Sequence, residues 1–181
     1  MEEEKKESAE NTPETTEQAA PVLDEQKLAQ YFESLKSEQN LPLGIVGSAI
    51  AALIGAVLWA VITNSTGYQI GYMAIAIGFI VGFSNRTLGK GLDQVYGIVG
   101  ALFAFLGCFF GNYFSMIGFA ADATGMTYMD ALTTFESSLI IDAMIEDFSI
   151  IDVLFYGIAI YEGYKFSFRQ LDEDEILTNA Q

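Results

Sequence analysis

Apolar and polar positions alternate in long blocks along this chain. Four apolar segments stand out, at residues 43–63, 66–84, 95–117 and 148–168. The first of them, LGIVGSAIAALIGAVLWAVIT, contains no charged side chain. A helix rises 1.5 Å per residue, so about 20 apolar residues cross roughly 30 Å of hydrocarbon. The pattern predicts an all-α integral membrane protein in which residues 43–168 form a bundle of four spanning helices.

The basic residues predict the orientation of these spans. The eight of them are Lys5, Lys6, Lys27, Lys36, Arg86, Lys90, Lys165 and Arg169. Each lies before the first segment, between the second and the third, or at the end of the fourth, so the loops on the other side contain none. Because short cytoplasmic loops are enriched in Lys and Arg, we expect both termini to be cytoplasmic.

The regions that flank the spans are acidic. Residues 1–20 contain almost no large apolar side chain and are predicted to be a disordered acidic tail, and residues 169–181 a second acidic tail. Residues 21–40 differ, since Asp24 can cap an amphipathic helix there. The apolar side chains of that helix are Leu28, Tyr31, Phe32 and Leu35. It is interpreted either as lying on the cytoplasmic lipid surface or as docking a protein partner.

The loop at residues 118–147 is predicted to lie outside. Its acidic residues are Asp122, Asp130, Glu136, Asp142, Glu146 and Asp147. Apolar residues recur between them at roughly helical intervals, which predicts one amphipathic helix on the outer surface. The acids do not follow the order of ligands in an EF-hand, so they are interpreted as a solvated face, and no metal site is predicted.

Small residues form a ribbon on each of the first three spans. On the first span they are Gly44, Ser48, Ala52 and Gly55, and on the second Gly71, Ala74, Gly78 and Gly82. On the third they are Gly97, Gly100, Ala104, Gly107, Cys108, Gly111 and Ser115. In lipid, such residues let helix backbones approach closely. Three ribbons exceed what one bundle obviously requires, which favours a homo-oligomer; a glycine-lined pore is the alternative.

The composition excludes several kinds of chemistry. The chain has no histidine and one cysteine, Cys108, so it cannot by itself build a Ser-His, Cys-His or His-zinc site. Eight basic residues against 24 acidic ones do not supply a face for nucleic acid. Gly89-Lys90-Gly91 lacks the spacing and the Ser/Thr of a phosphate loop. We therefore predict no catalytic, cofactor-binding or metal-binding residue, no cofactor and no enzyme activity.

Two carboxylates accompany the fourth span, Asp152 and Glu162. Ten residues of helix separate them by about 15 Å, so they cannot both lie at opposite membrane surfaces. In the structural interpretation Asp152 caps the start of the span and Glu162 pairs with Lys165. In the functional interpretation one of them, with Asn112 nearby, couples protons or cations in a small transporter.

Three segments resemble a family of uncharacterised bacterial multi-pass membrane proteins: TGYQIGYMAIAIGFIVGFSNR at 66–86, LGCFFGN at 106–112 and LFYGIAIYEGYKFS at 154–167. The resemblance implies a bacterial inner-membrane protein and carries no activity or site residue with it. The predicted function is a non-enzymatic scaffold or accessory subunit, whose partners are the lipid bilayer, a second membrane protein or further copies of itself. The alternative is a small oligomeric transporter or channel that uses Asp152 or Glu162.

Overall fold

The computed structural model describes residues 24–180, which contain eight α-helices and no strand. The helices are α1 Glu25–Ser37, α2 Leu41–Thr66, α3 Tyr72–Gly89, α4 Gln94–Thr124, α5 Tyr128–Thr134, α6 Ser137–Asp147, α7 Ile150–Lys165 and α8 Glu173–Ala180. The predicted all-α class is therefore confirmed for this part of the chain. The predicted disordered tail at residues 1–20 lies outside the described residues.

The four apolar segments correspond to α2, α3, α4 and α7, which form one bundle. Helices α3 and α4 pack on each other, and each of them also packs on α2 and on α7. Helices α2 and α7 do not contact each other, so they lie on opposite sides of the α3–α4 pair. We call the end that holds residues 38–40, 89–93 and 166–169 the proximal end, and the end that holds residues 66–71 and 118–149 the distal end.

The helices of the bundle differ in length from the predicted segments. Helix α4 continues to Thr124 and ends at Gly125, whose φ of 68° is left-handed. Helix α2 ends likewise at Gly67, with a φ of 70°. Because glycine adopts this conformation without steric cost, it stops a helix where apolar periodicity alone does not. Helix α3, which corresponds to the second predicted segment, consequently starts at Tyr72 instead of residue 66.

The centre of the bundle contains many small residues together with a few large ones, Trp59, Ile77, Val81 and Tyr156, and most of the large aliphatic side chains lie on the surface. Ala104 and Ala159 are fully buried, whereas Ile98 on α4 and Leu154 on α7 are 60% and 61% exposed. The same holds for α2, where the exposed side chains include Val46, Ile50, Leu53, Ile54 and Val61. A water-soluble bundle buries most of its large aliphatic side chains in the core, whereas here many of them are exposed.

Glycines bring the helix backbones into contact. A Cβ atom on Gly78 of α3 would lie 2.5 Å from the main-chain oxygen of Ala159 on α7. Gly100 of α4 and Gly163 of α7 face each other in the same way, and Gly107 faces Ala52 of α2. Apart from Gly71, which is half-buried, the predicted ribbons are thus buried inside one chain. They no longer argue for a homo-oligomer, whose existence stays a prediction.

The distal part of α4 carries a second, smaller core. Ile117 and Ala121 pack there against Ala131 of α5 and Ile140 of α6. The prediction of a single amphipathic helix in this region is wrong, because Phe135 and Glu136 are extended and divide it into α5 and α6. A run of helical periodicity does not reveal such a two-residue break.

The two flanking helices pack on each other. Asp24 caps α1 by accepting hydrogen bonds from the main-chain nitrogens of Gln26 and Lys27, at 2.9 and 3.4 Å. Helix α8 lies in the segment predicted to be an acidic tail, and it packs against α1. Its half-buried residues Ile176 and Leu177 supply the apolar surface for this contact. The acidic composition of the segment does not predict such a surface.

Candidate functional site

Asp152 has a structural role at the start of α7. Its Oδ2 atom accepts hydrogen bonds from the main-chain nitrogen of Ser149 at 2.8 Å and from the hydroxyl of Ser149 at 2.7 Å. Ser149 is the N-cap and Asp152 the third helical residue, so the two form a capping box. Asp152 therefore helps to cap the start of α7, as the structural interpretation predicts, but the cap position itself belongs to Ser149.

Glu162 lies one turn from the proximal end of α7 in a different setting. Its side chain is half-buried, and its Oε2 atom is buried without a donor among the described residues. The predicted ion pair with Lys165 is absent, because the Lys165 ammonium lies over the ring of Tyr161, 5.6 Å from its centroid. The structure does not bring Glu162 and Asp152 together.

A polar cluster occupies the distal half of the bundle. The amide of Gln69, in the loop between α2 and α3, donates a hydrogen bond of 2.6 Å to Oδ1 of Asn112 on α4. Asn112 is buried and interacts with Tyr156 of α7. Nearby on α2, the indole nitrogen of Trp59 and the hydroxyl of Thr63 are buried without a partner in the described part of the chain. Asn112, which the sequence singles out, therefore joins three elements.

Asn85 forms the centre of a second cluster at the proximal end, which sequence reasoning missed. Its amide donates to the main-chain oxygen of Tyr96 at 2.7 Å and to the hydroxyl of Ser167 at 3.1 Å. Ser167 in turn donates to the main-chain oxygen of Gly163 at 2.6 Å. The Oδ1 atom of Asn85 lies over Gly44. The one sequence signal was a polar residue directly after the apolar run of α3.

A charged junction closes the proximal end. The carboxylate of Glu38 lies 3.2 Å from the ammonium of Lys90 and 2.9 Å from the guanidinium of Arg169. Hydrogen bonds from both cations hold the pKa of Glu38 below its ordinary value. The main-chain nitrogen of Asn40 donates to the oxygen of Gly89 at 2.9 Å alongside. These residues are distant in sequence, so local patterns could not connect them.

An apolar layer separates the two polar clusters. It contains Ile77 and Val81 of α3, Ala104 and Cys108 of α4, and Ala159 of α7, all essentially inaccessible to solvent. Within residues 24–180, no group of three acidic or cysteine side chains is placed to hold a metal ion. The described bundle therefore has hydrogen-bonded polar groups towards its two ends and an apolar, buried layer between them.

Comparison of the chain with protein-family models, with curated proteins and with solved structures finds no match. The resemblance to a bacterial membrane protein family therefore stays a prediction.

Proposed function

We propose that this chain is a four-span membrane protein with both termini in the cytoplasm, in the inner membrane of a bacterium. The exposed apolar surface of the long helices carries the proposal. Helices α2 and α4 are long and apolar enough to cross a membrane by length and composition, and only 44% and 39% of their most apolar windows are buried. The core helix of a soluble protein would be mostly buried. Large exposed apolar surfaces on all sides suit a lipid solvent.

Helices α3 and α7 belong to the same membrane unit in this proposal. They have 18 and 16 residues, hence lengths of about 27 and 24 Å, which are slightly short for a core of roughly 30 Å. Their outward faces are nevertheless apolar, with Phe79 and Phe83 on α3 and Ile151 and Leu154 on α7. Short helices are accommodated by local thinning of the bilayer.

The proposed activity is that of a non-enzymatic scaffold or accessory subunit. The close contacts between backbones and the apolar central layer support a rigid body rather than one that opens around a substrate. The paired helices α1 and α8 and the α5–α6 unit would then present surfaces on the two sides of the membrane. Any partner would contact those surfaces or the lipid-facing helices.

Chemical cross-linking in native membranes, followed by purification of a tagged chain and mass spectrometry, tests this proposal. We expect a defined heterologous membrane protein to be recovered in stoichiometric amounts. Recovery of homo-oligomers alone would contradict the accessory-subunit function. A control purification after Asn85→Ala, which weakens the bundle itself, shows whether recovery depends on the folded protein.

Glu162 supports a second candidate function, a small transporter. A buried carboxylate oxygen without a donor is costly in lipid and is often functional, whereas Asp152 is committed to the capping box. The test is pH-coupled flux in vesicles containing the purified chain. The transporter requires that Glu162→Gln abolish flux and that Asp152→Asn leave it in place; absence of flux from the unmodified chain would eliminate this candidate.

A further inference from the structure

Helices α1 and α8 form a pair that stands beside the bundle. Among the described helices, α1 packs on α8 alone, and α8 packs on α1 alone. The two are antiparallel, because Glu38, directly after α1, meets Arg169, shortly before α8. Helices α2, α3, α5, α6 and α7 all pack on α4. The pair is therefore attached to the rest of the described structure through its linkers, and not through a helix face.

Both linkers of the pair are held by the loop between α3 and α4. In the linker from α1 to α2, the main-chain nitrogen of Asn40 donates to the main-chain oxygen of Gly89 at 2.9 Å. In the linker from α7 to α8, the main-chain nitrogen of Arg169 donates to the main-chain oxygen of Gly91 at 2.8 Å. None of these four residues belongs to α1 or α8. The anchor at the proximal end therefore does not require the two helices to be in contact.

Helix α8 covers the apolar face of α1. The residues of that face are buried or half-buried, and they are Leu28, Tyr31, Phe32 and Leu35. Because α1 packs on no other described helix, α8 is the helix that covers them, and its own half-buried apolar residues are Ile176 and Leu177. The sequence predicts that this face of α1 lies on lipid or docks a partner. In the structure, a segment of the same chain occupies it.

The contact between the two helices has little to stabilise it. Helix α1 has 13 residues and α8 has eight, and helices of such lengths are marginal in water without tertiary packing. The ion pair of Glu38 with Arg169 closes one end of the pair, but the Glu38 side chain is 46% exposed, so the ion pair adds little. Elements with few buried apolar contacts open at lower free energies than a core does.

We propose that α8 is a releasable cover of α1. Helix α8 leaves the apolar face of α1 and loses its helical structure while the bundle stays folded. A molecule that binds this face of α1 must first displace α8, so α8 acts as an internal competitor. The inference does not depend on the proposed membrane location, because it rests on the packing of α1 and α8 alone.

Hydrogen exchange of the full chain, followed by mass spectrometry of its peptic fragments, tests the inference. In the unmodified chain we expect the amides of residues 25–37 and 173–180 to exchange together, at least about tenfold faster than those in the middle of α4. Leu177→Asp places a charge in the contact and should speed exchange in residues 25–37 about fivefold, the scale of losing a half-buried leucine. Exchange in α2, α3, α4 and α7 should not change.

A second variant and a control sharpen the result. Ile176→Asp alters the other half-buried apolar residue of α8 and should have the same effect on residues 25–37. Thr178→Asp adds the same charge at an exposed position of the same helix and should leave that exchange unchanged. Unchanged exchange of α1 in both α8 variants would overturn the inference. So would a parallel rise in α2 and α4, because the pair and the bundle would then unfold as one unit.

Discussion

The side-chain amide of Asn85 on α3 donates a hydrogen bond of 2.7 Å to the main-chain oxygen of Tyr96 on α4. The same amide also donates to the hydroxyl of Ser167, so one side chain connects α3, α4 and the segment that follows α7. It does so next to Glu38, which bridges Lys90 and Arg169. The proximal end is therefore held by two adjacent junctions, one buried and neutral and the other exposed and charged.

Removing the buried junction should destabilise the bundle. Asn85→Ala leaves the buried Ser167 hydroxyl and the Tyr96 oxygen each without one partner, and we expect the free energy of unfolding to fall by about 1–3 kcal/mol. The measurement is reversible unfolding in mixed detergent micelles. Thr87→Ala is the control, since its exposed hydroxyl donates only within α3, to Phe83. Equal stability of the two variants would show that Asn85 does not join the helices.

Two glycines provide a matched test of backbone contact. Gly78→Ala places a Cβ atom against the main chain of Ala159, and we expect a loss of about 1–3 kcal/mol from overpacking. Gly157→Ala, on α7, meets open space and should stabilise the helix by about 0.5–1 kcal/mol. The same unfolding assay compares them. A similar loss in both would mean that the effect is not caused by the α3–α7 contact.

The Glu38 junction should make stability depend on pH. Its cations lower the pKa of Glu38 from the ordinary value of 4.5, so the stabilisation is complete above pH 4.5 and is lost as the pH falls through the lowered, folded-state value. Plotted against pH, the difference in melting temperature between the unmodified chain and Glu38→Gln should therefore shrink in acid. It should also shrink in high salt.

The control for this prediction is Glu33→Gln, which removes an exposed acid from α1. We expect its melting temperature to follow that of the unmodified chain at every pH. If Glu38→Gln does so as well, the ion pairs contribute nothing measurable, as is common for exposed pairs.

The capping box at Asp152 should matter for stability and not for transport. Asp152→Ala removes the acceptor for Ser149 and should cost about 0.5–2 kcal/mol, as the loss of a helix cap does. Asp152→Asn keeps an acceptor oxygen and should cost less. Unfolding of the two variants in micelles measures the difference. A loss of flux with unchanged stability would assign Asp152 a functional role instead.

The proposed orientation can be mapped with cysteine labelling. Cys108 is buried, so it should not react in the folded protein. A membrane-impermeant maleimide should label Thr133→Cys, on exposed α5, in intact cells. It should label Ser37→Cys, at the end of α1, after lysis only. Labelling of both positions in intact cells, or the reverse pattern, would contradict cytoplasmic termini.

Periodicity and composition suffice to predict the main helices. The apolar segments at 43–63 and 95–117 predict α2 and α4, because each is a long, nearly charge-free run. Asp24 predicts the start of α1. The absence of histidine likewise limits the chemistry on composition alone. The helix ends at Gly67 and Gly125 are predicted less accurately, because a helix stops there through a left-handed glycine and not through a change in hydrophobicity.

Contacts between distant residues are decided by the tertiary structure alone. The small-residue ribbons are visible in the sequence, but only the packing shows that Gly78 meets Ala159 within the same chain. The Asn85 and Glu38 junctions and the pairing of α1 with α8 each combine residues from separate parts of the chain. The sequence by itself determined which segments are helical and apolar, because those properties are local; the tertiary structure decided which faces meet, because backbone approach and hydrogen bonding depend on geometry across the whole bundle.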